Sequence, residues 1–208
     1  MPPLSRRRTA KEGSRRSLRQ AEAVEERIEE IMDRVQQAGD DHAERAAALE
    51  EYLTLARARQ DEAWFDAGAW SEELADSYLA LGRADDAVRT ISDATRSGYA
   101  EGAEMLCELA KKLMRSGYEP QARLLWQQAR AGYPDDVWIY VQAGIEYSDI
   151  GDHAEALDWL TTGLDLALRT GDPEYALEQL RPLRASCLAA LGRKADEIQE
   201  RAAQSEHL

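Results

Sequence analysis

Cysteine is nearly missing from this 208-residue chain: Cys107 and Cys187 stand 80 positions apart with no CxxC pattern, which argues against a disulfide scaffold and against a thiolate zinc site. No run of 18 apolar residues occurs, so no segment qualifies as a membrane-spanning helix. The first 20 residues also lack the apolar stretch of a secretory signal, and the expected location is cytoplasmic, with no membrane partner. Strand-like alternation of apolar and polar residues is absent. So are HExxH, GxxxxGK, GxSxG and any glycine-rich phosphate loop. These absences set the expectation of a chain with no catalysis of its own, no cofactor and no metal.

What the chain does have is helix-forming material. Its 44% apolar fraction is mostly alanine and leucine, 32% of residues are charged and 7% are aromatic. The net charge of −14 conceals two opposite pieces. Residues 1–20 carry seven basic groups against the single acid Glu12, giving +6, which leaves 19 basic and 39 acidic residues, or −20, for the remainder. With Leu4 and Leu18 as its only sizeable apolar groups after Met1, the leader cannot bury enough surface to offset its ordering entropy, and a disordered basic arm is expected over 1–20.

From Ala21 onward the apolar spacing is that of helices, as in Val24, Ile28, Ile31 and Val35 interleaved with Glu25, Glu26, Glu29 and Glu30. Breaks are expected at Gly39-Asp40-Asp41, Gly68, Gly82, Ser97-Gly98, Ser116-Gly117, Gly132-Tyr133-Pro134, Gly151-Asp152, Gly171-Asp172-Pro173 and Gly192. Glycine relieves the left-handed conformation that ends a helix, and a following Asp or Ser caps the next one. About ten antiparallel helices follow from this reading.

The glycines keep time. Gly82, Gly117, Gly151 and Gly192 stand 35, 34 and 41 residues apart. Four residues before them come Tyr78, Leu113, Tyr147 and Leu188, and seven before come the small Ala75, Ala110, Gly144 and Ala185. In the first three units Ala87, Ala122 and Ala156 follow five after the glycine, the bulky Ile91, Trp126 and Leu160 nine after, and the small Ala94, Ala129 and Gly163 twelve after. Small and large side chains at fixed phase suit two helices packed closely, because each large residue needs a facing hollow.

This pattern resembles the tetratricopeptide repeat family, whose 34-residue unit places a small residue and an aromatic in its first helix, then alanine and a bulky residue in its second. Pro134 closes the Gly117 unit where that family often has proline. The resemblance implies an all-α fold of antiparallel helix pairs wound as a right-handed α-solenoid. It is clear over residues 69–172, degenerate over 21–68 and divergent over 173–208, where Glu197, Arg201 and Gln204 occupy the second-helix positions and Lys194–Ser205 reads as a polar capping helix. Pro182, inside Glu174–Leu191, is expected to kink its helix.

His42 and His153 sit at matching helix starts behind Asp41 and Asp152, and read as capped helix ends rather than as metal ligands. Both cysteines read as buried thiols and Trp126 as core. The resemblance further implies that the first helix of each unit lines a concave face. Helical spacing then selects an apolar patch of Met114, Trp138, Val141 and Ile145, rimmed by Glu72 and Asp76 on one side and Lys111 and Arg115 on the other. Some family members grip a carboxylate tail with several bases on this face, and two bases opposed by two acids do not reproduce that clamp. Such a patch suits a partner peptide or helix with an apolar anchor, or else it packs on the chain's own N-terminal helices or on a second copy. The function expected is a non-catalytic interaction adaptor; the alternative is a nucleic-acid-associated protein that neutralises phosphates with its basic arm.

Overall fold

A computed structural model describes residues 22–58, 67–98, 102–171 and 175–204. The expected basic arm at 1–20 lies outside the described residues, as do Trp64, Asp172-Pro173 and Ser205. Among the described residues every regular element is an α-helix and none is a strand: α1 (22–38), α2 (His42–Ala58), α3 (Ala67–Ala80), α4 (Ala84–Arg96), α5 (Gly102–Arg115), α6 (Glu119–Gly132), α7 (Val137–Asp149), α8 (His153–Thr170), α9 (Ala176–Ala190) and α10 (Glu197–Gln204). They fall into two compact units, Met1–Gly82 and Arg83–Leu208.

The turns follow the glycines. Gly39, Gly82, Gly98, Gly117, Gly151, Gly171 and Gly192 all take positive φ, and each closes a helix. At Gly117 the amides of Gly117 and Tyr118 donate back to the carbonyls of Met114 and Leu113, and at Gly151 those of Gly151 and Asp152 donate to Ser148 and Tyr147. This double bond pattern requires a left-handed residue at its centre, which glycine adopts without a Cβ penalty. The residue four before each glycine is therefore the one whose carbonyl takes the outer bond. Some helix starts follow aspartates, since Asp41 Oδ1 accepts from the amides of Ala43 and Glu44 at 3.1 Å, and Asp152 Oδ1 from Glu155 at 3.2 Å; α4, α6 and α9 instead start behind Arg83, Tyr118 and Tyr175 with no side-chain cap. Gly68 departs from its expected role. It lies buried within α3 and makes no turn.

In the first unit α2 packs on α3. Ile31 and Val35 of α1 are buried, and Arg27 and Arg34 of α1 both reach Glu51 of α2, at 2.5 and 2.9 Å. Tyr78 donates its hydroxyl to Glu50 at 2.6 Å, tying α3 to α2.

In the second unit each helix packs on the next, and α4, α5, α7 and α8 also on the next but one: α4 against α6, α5 against α7, α7 against α9 and α8 against α10. The small and large positions of the repeat form its core: Ala87, Ile91, Ala110, Leu113, Ala122, Trp126, Ala129, Tyr147, Ala156 and Leu160 are all buried. A Cβ on Gly144 would come within 2.5 Å of Leu160, so the small position of one helix is the hollow for the bulky position of the next. A Cβ on Gly163 would stand 2.7 Å from the Tyr140 Cβ and 3.1 Å from Leu180. Trp159 fills the centre, its ring 6.5 Å from Trp126, 5.9 Å from Tyr140 and stacked 6.4 Å from Tyr147.

The last helices leave this phase. Ala185 is exposed, and Arg184 is buried in its place. Arg184 donates to Thr161 Oγ1 of α8 at 2.9 Å, to Asp196 Oδ1 at 2.9 Å and to Gln199 Oε1 at 3.1 Å. Asp196 also caps α10 by accepting from the Gln199 amide, so the polar capping helix begins at Glu197 rather than Lys194. The bond to Arg184 holds the Asp196 carboxyl below the usual carboxylate range. α9 runs through Pro182 as one helix; Pro182 and Glu178, whose carbonyl loses the missing amide, are both exposed, and water can serve that carbonyl.

Two outcomes follow from this packing. Gly163→Ala should lower stability by about 1–2 kcal/mol despite the better helix propensity of alanine, because the Tyr140 Cβ is anchored to its backbone and cannot swing aside; a thermal melt a few degrees lower is the readout. Asp196→Asn should cost about 1–3 kcal/mol at pH 7, since buried Arg184 loses its counter-charge. Because folding lowers this carboxyl, its contribution is present above the unfolded value of about 3.9 and lost as pH falls through the folded one, so the gap between wild-type and variant melts should close below about pH 4.

Candidate functional site

The eight residues expected on a partner face are divided between the two units. Glu72 and Asp76 lie exposed on α3 in the first. Lys111, Met114 and Arg115 lie on α5 and Trp138, Val141 and Ile145 on α7, both in the second. Two of these six are not on an open face: Val141 is 1% exposed and Met114 5%, and both belong to the core. Trp138 is 36% exposed and Ile145 half-buried. The open face of α7 is thus Trp138, Gln142 and Ile145, one residue out of phase with the expected line through Val141.

The two bases are engaged. Lys111 pairs with Glu108 one turn earlier, and Arg115 reaches buried Glu146 of α7 at 2.7 Å. A charge so deeply placed needs its partner, which commits Arg115 to the α5–α7 contact.

A cavity of about 360 Å³ opens where α5 faces α7. Glu104, Cys107 and Glu108 line it from α5, and Asp136, Trp138 and Gln142 from the start of α7. Asp136 is there because it caps α7, its Oδ1 accepting from the Trp138 amide at 3.0 Å. Burial pushes the Cys107 thiol up to about 12, with the nearby Asp136 charge adding to the effect, so at neutral pH it is a protonated apolar wall and not a nucleophile. Gln142 carries a buried Oε1 with no hydrogen-bond partner among the described residues. Asp136, Gln142 and Glu108 escape a reading based on apolar spacing, although Gln142, the one polar side chain between Val137 and Ile145, is a visible signal of the open side.

Among the described residues no three histidine, cysteine or acidic side chains converge closely enough to hold a metal ion, and no helix is long and apolar enough to cross a membrane. Compared with protein-family models, curated proteins and solved structures, the chain matches none of them.

The burial of Val141 reverses what an open groove position would tolerate. Val141→Glu should cost about 3 kcal/mol or more, because a carboxylate would be placed in the core without a partner, and the melting temperature should fall by about 10 °C or more.

Proposed function

We propose that this chain is a non-catalytic interaction adaptor of the tetratricopeptide kind, its helix pairs wound as a right-handed α-solenoid, working in the cytoplasm and binding a partner peptide or helix along the α5–α7 face. The observation that carries the reading is the half-open indole of Trp138 beside a cavity of about 360 Å³, on a helix whose Val137, Ile139, Tyr140, Val141 and Tyr147 are buried. A large aromatic left accessible at the edge of a concavity is the usual anchor of a binding surface. The alternation of small and large residues, and the packing of each second-unit helix on the next, support the repeat architecture.

Selection of a random peptide library on the full chain, counter-selected on Trp138→Ala, tests this. Enriched peptides should bind the wild type at least about tenfold more tightly than the variant, as expected for a hot-spot residue, while the helical circular dichroism stays the same. Equal binding to both, or a wild-type dimer that Trp138→Ala converts to a monomer, would overturn the peptide reading, the second in favour of self-packing.

A further inference from the structure

We infer that the α5–α7 cavity is a pocket for a single arginine side chain of the partner peptide, an assignment that rests on the peptide-binding reading above. The charge of the lining is of one sign: Glu104, Glu108 and Asp136 surround it and no basic residue lines it. Glu108 is already neutralised in part by Lys111, but Glu104 and Asp136 form no ion pair among the described residues, and Asp136 spends one oxygen on its helix cap. The indole of Trp138, 36% exposed, lines the same cavity. An aromatic surface and two carboxylates outside any ion pair in one cavity suit a guanidinium, which stacks on a ring and presents its N–H fork to oxygen at the same time. Cys107 and Ile139 supply apolar surface for the methylene stem.

A second observation points to a donor from outside. Gln142 lines the cavity, and its Oε1 is buried without a partner among the described residues, a costly state that an incoming N–H donor would relieve. The volume lies near the lower end of the range of about 300–1,000 Å³ typical of ligand pockets, the scale of one long side chain rather than a larger ligand.

The test uses the full chain and a fluorescein-labelled nonapeptide of Ser, Gly, Ala and Leu with one central arginine, against the same peptide carrying citrulline, its neutral isostere. Fluorescence anisotropy should show the arginine peptide binding at least about tenfold more tightly. Glu104→Gln with Asp136→Asn should bring that preference below about threefold while leaving the fold intact, because asparagine also caps helices. Glu197→Gln with Glu200→Gln, an equal change of charge on the distant α10, should leave it unchanged. Arg6→Gln with Arg7→Gln and Arg8→Gln should not alter the affinity. Equal affinity for the two peptides would overturn the arginine pocket and leave the adaptor reading standing. Equal loss in the α10 variant would assign the preference to overall acidity and overturn it as well. A gain on neutralising the arm would make the chain's own arginines the occupants in place of a partner's. Binding of neither peptide up to about 5 mM would likewise remove the pocket.

Discussion

The close approach of neighbouring helices in the second unit depends on one steric condition, that a small residue stands wherever the next helix carries a large one. Gly144 opposite Leu160 and Gly163 opposite Tyr140 leave no room even for a methyl group. Both contacts involve α7, and together they fix its rotation. With Tyr140, Val141, Gly144 and Tyr147 turned inward, a period of 3.6 residues leaves 138, 142 and 145 outside. The position of Trp138 beside the α5 carboxylates is thus a consequence of core packing two turns away. The same condition explains the aromatic cluster, since Trp159 can meet Trp126, Tyr140 and Tyr147 at once only where helix axes come this near.

Much of the helix plan was legible because local chemistry dictates it. A glycine that must take positive φ and an aspartate that must cap are visible one residue at a time, and the turns at Gly117-Tyr118 and Gly151-Asp152 occur where that chemistry puts them. Gly68 shows the limit, because a glycine inside a helix looks the same in sequence as one that ends it. The open face of α7 was legible only to within one residue. Val137, Ile139, Tyr140, Val141, Ala143 and Ile145 make the helix apolar nearly all round through Ile145, so no apolar stripe identifies its buried side; Gln142 marks the open side, but the equally polar Glu146 is buried. Arg184 was hidden for a different reason: a buried guanidinium depends on Asp196, Gln199 and Thr161, partners on two other helices or their caps that periodicity within α9 does not reveal.

Charge follows the same division between local and distant partners. The second unit uses its arginines to stitch neighbouring helices. Arg123 of α6 reaches Asp152 and Glu155 at the start of α8, and Arg130 of α6 reaches Asp158 while lying over the Trp159 ring at 5.0 Å. Pairs of this kind at the surface contribute at most about 1 kcal/mol each, so their effect is on orientation more than on stability. Arg115 is spent in the same way on Glu146 of α7, and Lys111 on Glu108 within α5 itself.

That expenditure decides what the α5–α7 face can recognise. A clamp for a carboxylate tail needs bases free to leave their partners, and releasing Arg115 would strand the buried Glu146 charge. The acids outnumber the bases 39 to 19 after the first 20 residues, so once the bases are paired, carboxylates are left over. Where such carboxylates border a cavity with an exposed indole, as Glu104 and Asp136 do, the field favours a cation on approach and the aromatic wall favours a planar one on contact. The preference proposed for this face, a basic ligand, thus has its origin in side-chain pairings that already occupy Arg115 and Lys111.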